Sequence, residues 1–347
     1  MISHKHDFFE AIRDFITVYL PKHKMSSHRT IKSYDLTLNL FLLFLYKKKG
    51  LRHKDMSFAN ITYQTICGFL DWLQDEHHCG TNSRNHHLMV VRSFLKYAAI
   101  LSVANVSRQI EIEKVPMKKV VKNIVEHFSL ASLEAILAEP DRTKPNGYRD
   151  AVFMSLMYDA GARCQEVLDL RVRSLTLDHG SPVAYLMGKG AKIRPVPIMK
   201  KTAQMLRIYL AKKLPFETRQ DDDFLFFTTR QNRQCRMSES NVGDFVKRYG
   251  RQAKQHHPEL DIPDIVHPHQ FRHSRAMHLY ADGIPINYIS ELLGHSKIES
   301  TQIYAYSDSE MKRRVLISAR QLNPNDNDLD FDLDDEATLK KLYGLRH

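Results

Sequence analysis

The sequence predicts a mainly α protein of two domains: a four-helix N-terminal domain and an α-rich second domain with a small β-sheet or hairpin. Three observations predict it. Apolar residues recur at spacings of three and four through the first hundred residues. A basic, proline-containing stretch then interrupts that period. Beyond it lies a pair of β-prone runs, Val183 to Met187 and Ile193 to Ile198, on either side of Gly188-Lys189-Gly190-Ala191-Lys192.

The first helix carries Phe8, Ile12, Phe15, Ile16 and Tyr19, and Pro21 is expected to stop it. Ser27 or Thr30 can cap a second, carrying Ile31, Tyr34, Leu38, Phe41, Leu42 and Leu45. It should end at Lys47-Lys48-Lys49-Gly50, where cations meet the negative helix end and a glycine follows. A third runs near Tyr63 to Glu76 with Ile66, Phe69, Leu70 and Leu73 inward. A fourth starts near Thr81 or Asn82 and carries Leu88, Val91, Leu95 and Ala98. Glu111 to Lys122 holds Lys114, Pro116, Lys118, Lys119 and Lys122 and reads as an extended basic linker. The second domain opens at a Ser129 cap before Leu130, Leu133, Ile136 and Leu137. A helix near Tyr148 to Ala160 precedes the hairpin and further helices run to Arg320. Phe224, Phe226 and Phe227 are expected as strand core, and Tyr280 and Tyr288 as helix packing. The expected domains are 1–110, a linker 111–124, 125–321, and a tail 322–347.

Composition limits the function classes. With 347 residues, 43% hydrophobic and 26% charged, the chain can build a sizeable core and is not a disordered polymer. No apolar run reaches the ~18–20 residues needed to span a bilayer, and Met1 to Lys5 lacks a signal-peptide core, so a cytoplasmic location with no membrane association is expected. The net charge is +11, although seven acids and no base lie between Asn323 and Glu336. A body this basic suggests a polyanion as partner, nucleic acid first and an anionic membrane second. Cys67, Cys79, Cys164 and Cys235 fit no zinc or redox spacing and read as free, mostly buried thiols. The His77-His78-Cys79 and His86-His87 cluster lacks the compact ligand pairs of a zinc site, so no metal is expected.

Singly, the polar signals are bland. Arg163 and Glu166, three apart, make an ordinary helix-face ion pair, and Gly188-Lys189-Gly190 lacks the frame of a phosphate-binding loop. Together they are not. Gly161-Ala162-Arg163 with Glu166, Lys189 in a hairpin, His269 with Arg272, Leu293-Gly294-His295-Ser296, and Tyr304 nine residues after His295 occur in that order. In this the chain closely resembles the tyrosine recombinase (phage integrase) family over about residues 125 to 320. The four-helix region looks like that family's core-binding domain, and the two domains would form a C-shaped clamp around duplex DNA.

The resemblance implies a catalytic set of Arg163, Lys189, His269, Arg272, His295 and Tyr304, with Glu166 in support and no cofactor. Tyr304 would attack phosphorus, Lys189 protonate the leaving oxygen, His269 take the tyrosine proton, and His295 bond a phosphate oxygen. The residue types suit the task. A phenolic oxygen can form a covalent phosphate ester. Guanidiniums keep their charge and present planar forks to phosphate oxygens. Lys192 and Arg194 compete with Lys189, His267 with His269, and Tyr306 with Tyr304. His273 is expected to support the site from a buried face. Candidate DNA contacts in the first domain are Arg29, Lys32, Asn82, Arg84, Asn85 and Lys96, near helix starts or on polar faces. The expected partners are double-stranded DNA and three further copies, a homo-tetramer on two DNA sites formed from a monomer or weak dimer. Helix one is expected to begin almost at Met1, so no arm-binding domain is expected. The expected function is strand exchange between two sites, for a mobile element as an integrase or transposase, or alternatively for resolving chromosome or plasmid dimers. A type IB-like topoisomerase and a non-catalytic DNA-binding protein are the readings of another class. The tail from Thr338 to Leu345 can form a short amphipathic helix docking on a neighbouring protomer.

Overall fold

The structure is a computed structural model that describes residues 7–120, 126–177, 180–188, 192–215, 219–231, 233–294 and 301. The chain divides into two compact units, Met1–Asn123 and Ile124–His347.

In the first unit, α1 (Asp7–Asp14) continues without a break as a π-helix from Phe15 to His23. The expected stop at Pro21 is therefore two residues early. In the wider register the Lys24 N–H donates to the Tyr19 carbonyl at 2.9 Å. A wider turn relieves the clash of the proline ring with the carbonyl four residues back. Helix α2 (His28–Lys49) is capped as expected. The Ser27 side chain accepts from Thr30 N–H, and Gly50 ends the helix in the left-handed conformation, φ +64°. Helices α3 (Tyr63–Asp75) and α4 (Thr81–Leu101) also fall where the periodicity puts them. Their inward faces, with Phe8, Phe15, Phe41, Phe44, Phe69 and Phe94, close an aromatic-rich core. Phe41 and Phe69 meet edge to face at 5.2 Å, the favoured aromatic geometry.

The expected extended linker starts later than Glu111. A further helix, α5 (Val106–Glu113), occupies its beginning, and Ile112 and Val115 are fully buried. Their burial against α4 outweighs the local charge. Arg92 of α4 caps α5, donating to the carbonyls of Ile112, Glu113 and Val115 at 3.4, 2.7 and 2.6 Å.

The second unit begins with α6 (Leu130–Ala138), whose Ser129 cap accepts from Ser132 N–H, and α7 (Pro145–Asp159), with proline in the first turn. The five-residue α8 (Cys164–Leu168) follows. Strands β1 (Leu175–Thr176), β2 (Val183–Met187) and β3 (Ile193–Pro197) form an antiparallel sheet in that order, with Leu186 opposite Arg194 and Ala184 opposite Val196. After α9 (Lys200–Lys213), β4 (Phe227–Arg230) and β5 (Arg233–Arg236) make a second hairpin. Helices α10 (Glu239–His256), α11 (Pro268–Ala281) and α12 (Ile286–Leu293) complete the unit.

Of the three phenylalanines expected in a strand, only Phe227 lies in one. Phe226 is fully buried in the bend before it, and Phe224 lies under the Arg171 guanidinium, 4.4 Å from its ring centre. Tyr280 packs on a small cluster of Ala276, Met277, Ile289 and Leu293. Among the described residues Tyr288 is exposed and packs on none of the core clusters. Ile289 and Leu293, four apart, form the buried stripe of α12, which turns Tyr288 outward. Where mostly buried thiols are expected, Cys164 is buried, Cys67 and Cys79 are half-buried and Cys235 is exposed; none of the four is in a disulfide. Among the described residues no helix is long and apolar enough to cross a membrane.

Candidate active site

A dense polar cluster of the second unit surrounds the carboxyl end of α12. The last carbonyls of a helix have no partner within it and carry its negative dipole end. Here three successive carbonyls each accept from a different arginine. Leu292 O accepts from Arg194 Nε (3.1 Å), Leu293 O from Arg272 (2.8 Å), and Gly294 O from Arg163 (3.5 Å). The three arginines come from β3, α11 and the start of α8.

Gly161 and Gly294 are the two positions where this meeting requires glycine. Gly294 has φ +64°, and a Cβ there would lie 2.9–3.0 Å from three atoms of the Arg194 side chain. Gly161 has φ +55°, and a Cβ would lie 2.7 Å from Leu293 Cδ2. The Gly161 carbonyl accepts a second Arg272 bond at 2.8 Å, so the buried Arg272, 4% exposed, joins the turn before α8 to the end of α12.

Glu166 is the hub. It is 5% exposed, and each of its oxygens accepts twice. Oε1 takes Arg163 and Arg194 guanidinium N–H groups at 2.8 and 2.9 Å. Oε2 takes the Arg163 backbone N–H and an Arg194 guanidinium N–H, both at 2.8 Å. Burial pushes its carboxyl up, but the Arg194 hydrogen bonds, the Arg163 N–H and the Arg194 charge outweigh that, and it is held below the usual carboxylate range. Three guanidiniums against one carboxylate leave a local charge of +2, and the Arg163 side chain is 37% exposed. The arrangement can receive an anion with charge fixed in place.

Helix α11 is fastened along one side by the segment Glu126 to Phe128. Gln270 donates to Glu126 (3.0 Å), Phe128 N–H to Ser274 (2.8 Å), and His278 Nε2 bonds the Phe128 carbonyl (2.9 Å). His267 occupies the N-cap position, its N–H donating to Gln270, whereas His269 lies in the first turn and is exposed. His273, one turn further, is half-buried. Burial first, then the nearby His269, Arg272 and His127, lower its pKa to about 4, so it is neutral at neutral pH.

The structure thus brings Arg163, Glu166 and Arg272 together. Lys189, His295, Tyr304 and Tyr306 lie outside the described residues, as do the acidic stretch and the tail. Arg194, in the sequence only a competitor of Lys189, is a central member of the cluster. A signal for it existed. The alternation of Ala184, Leu186 and Val196 on the inner face puts Arg194, opposite Leu186, on that face too.

In the first unit, Arg29, Lys32, Asn82 and Lys96 are exposed. Ser33 and His86, bonded at 2.7 Å, tie together the starts of α2 and α4, where three of these residues lie. Arg84 and Asn85, the other two expected DNA contacts, bond the basic segment of the chain itself. Arg84 is 4% exposed and donates to the Pro116 carbonyl at 3.3 Å. Asn85 holds the Lys118 backbone both ways, at 2.8 and 3.0 Å. Both faces point to the basic segment because the fold lays it along α4. His87 likewise bonds Thr37 at 2.9 Å, and among the described residues no group of three or more His, Cys, Asp or Glu could hold a metal ion.

The helical unit and the Arg163–Glu166–Arg272 cluster agree with the tyrosine recombinase class that the motif order implies. The chain belongs to the phage integrase family: residues 126–311 match that family and residues 7–109 its phage integrase SAM-like domain. Tyrosine recombinase XerC of Myxococcus xanthus is 30% identical over 307 residues, 87% of this chain and 94% of that protein. Two solved structures share the fold. XerH site-specific recombinase bound to palindromic difH substrate has a TM-score of 0.65 at 18% identity, covering 90% of this chain and 88% of that one. The Tn1549 transposon integrase in complex with transposon right end DNA has a TM-score of 0.65 at 14% identity, covering 90% and 99%.

Proposed function

We propose that this chain is a site-specific recombinase that cuts and rejoins duplex DNA through a 3′-phosphotyrosyl intermediate and exchanges strands between two sites of a mobile element. The observation that carries the reading is the convergence of Arg163 and Arg272 on the last turn of α12, with Arg163 partly open to solvent.

In the first step the Tyr304 oxygen attacks phosphorus and forms the P–O(tyrosyl) bond while the bond to the 5′ oxygen breaks. His269 accepts the tyrosine proton and Lys189 gives one to the departing 5′ oxygen. The non-bridging oxygens gather charge in the transition state, and Arg163, Arg272 and His295 meet it. Fixed donors of this kind are typically worth about 100–1,000-fold in rate each. The tyrosyl ester retains the phosphodiester energy, so attack by a 5′-hydroxyl of another strand reverses the step without a high-energy cofactor.

Two recombining sites call for a homo-tetramer on DNA, assembled in the cytoplasm from monomers or weak dimers, with the C-terminal helix docking between protomers. Arg29, Lys32, Asn82 and Lys96 contact the duplex backbone, and Arg84 and Asn85 hold the linker that spans it. Likeness to a transposon integrase supports the mobile-element role. Likeness to XerC supports the second reading, resolution of chromosome or plasmid dimers by the same chemistry.

The test is Tyr304→Phe on a nicked suicide duplex carrying the element's core site. The variant should bind DNA like the wild type and form no covalent adduct. A retained adduct would move the nucleophile to Tyr306, and no adduct from the wild type would defeat the reading.

A further inference from the structure

Arg194 holds three parts of the site at once. Its two terminal nitrogens clamp both oxygens of Glu166 at 2.9 and 2.8 Å, and its Nε caps α12 through the Leu292 carbonyl at 3.1 Å. Its side chain is 15% exposed, so these bonds are largely shielded from water. The backbone packs directly against it. A Cβ on Gly294 would touch the guanidinium at 2.9 Å, and one on Gly188, where the hairpin narrows, would stand 3.6 Å from it. Arg194 therefore occupies the space between the hairpin, the start of α8 and the end of α12.

The electrostatic consequence falls on Arg163. Two guanidiniums share the single negative charge of Glu166, so Arg163 keeps part of its field for an anion outside. Without Arg194, Glu166 would lose two of its four hydrogen bonds and close a one-to-one pair with Arg163. That pair would both turn the Arg163 side chain and quench its charge. A lysine cannot replace the function, because a point ammonium lacks the planar fork that serves two carboxylate oxygens and a carbonyl together.

We propose that Arg194 is a positioning residue for strand cleavage, which fixes Glu166 and the end of α12 together and so presents the Arg163 charge to the scissile phosphate. This rests on the strand-transfer function proposed above.

The experiment compares wild type with Arg194→Lys and Arg194→Gln in single-turnover cleavage of a nicked suicide duplex. Each is run on two substrates, one with the ordinary phosphate and one with a neutral methylphosphonate at the scissile position. A misplacement near 1 Å at a reacting centre costs on the order of 100-fold. Both variants should cleave the phosphate about 10–100-fold more slowly than wild type. Their deficit should shrink to within a few-fold on the methylphosphonate, which no longer asks for a well-aimed positive charge. DNA affinity should stay within a few-fold of wild type. A rate equal to wild type, or the same slowing on both substrates, would overturn the proposal. So would loss of both DNA binding and the cooperative melting transition in the two variants, which would mark a residue needed only for folding. A wild-type protein that forms no adduct on the phosphate would instead defeat the strand-transfer function itself.

Discussion

Replacing Glu166 by glutamine should destabilise the second unit far more than its small chemical change suggests. The side chain keeps its shape but loses its charge and one acceptor. Both oxygens of Glu166 already accept twice. Whichever way the amide turns, its NH2 group faces two donors. At Oε1 these are the Arg163 and Arg194 guanidiniums; at Oε2, the Arg163 backbone N–H and Arg194. Two bonds are lost, and two guanidiniums remain with no counter-charge. Breaking a buried ion pair by neutralising one partner costs about 3–5 kcal/mol. The 37% exposure of Arg163 lets water repay part of that, so the lower end, about 3 kcal/mol, is expected. For a domain of roughly 200 residues each kcal/mol moves the melting temperature by about 2–4 °C. The variant should therefore melt about 6–12 °C below wild type at pH 7 by calorimetry of the full chain. The deficit also has a pH signature. A carboxyl held below its ordinary value of 4.5 stabilises the fold above that value and loses the contribution as pH falls through the folded one. The gap between the two proteins should thus stay constant from pH 7 to about 5 and close only below the ordinary carboxylate range. A melting temperature within 2 °C of wild type at pH 7, or a gap that closes near neutrality, would refute the picture of Glu166 as a fully bonded charged hub.

Two further outcomes follow from other elements. His273 titrates near 4 in the fold against 6.5 in its ordinary state, under the influence of burial and of His269, Arg272 and His127. Its neutral form therefore stabilises the protein fully above pH 6.5, and that contribution drains away as pH falls from 6.5 towards 4, by on the order of 3 kcal/mol. His273→Gln should flatten the melting temperature across that window; an unchanged slope would count against a neutral buried imidazole. At the other end of the chain, Ser27→Ala removes the side chain that accepts from Thr30 N–H and should cost about 1 kcal/mol in denaturant unfolding of the first unit. No measurable loss there would mean that water caps α2 equally well.

How much of this was legible without coordinates depended on range. The caps at Ser27 and Ser129, the helix-ending Gly50 and the inward stripes of α2, α3 and α4 are set by residues within a few positions of one another, and a one-dimensional pattern shows them. The same holds for the hairpin of β2 and β3. Local pattern failed where distant packing outweighed it. Pro21 sits inside a widened helix rather than ending one, and α5 forms in a stretch whose charges suggest a linker because Ile112 and Val115 are buried. Arg84 and Asn85, on an apparently open helix start, are engaged by residues 32 and 33 positions later.

The order and spacing of Gly161-Ala162-Arg163, Glu166, His269 and Arg272 along the chain were enough to carry a resemblance to the tyrosine recombinase family, and that resemblance implied a role for Arg163, Glu166 and Arg272. Only the tertiary structure decided which groups Arg194 bonds. Its partners lie 28 residues back, at Glu166, and 98 residues on, at Leu292. A hydrogen bond is made by atoms about 3 Å apart, and separations of that kind along a chain say nothing about distance until the strand and helix between them are folded.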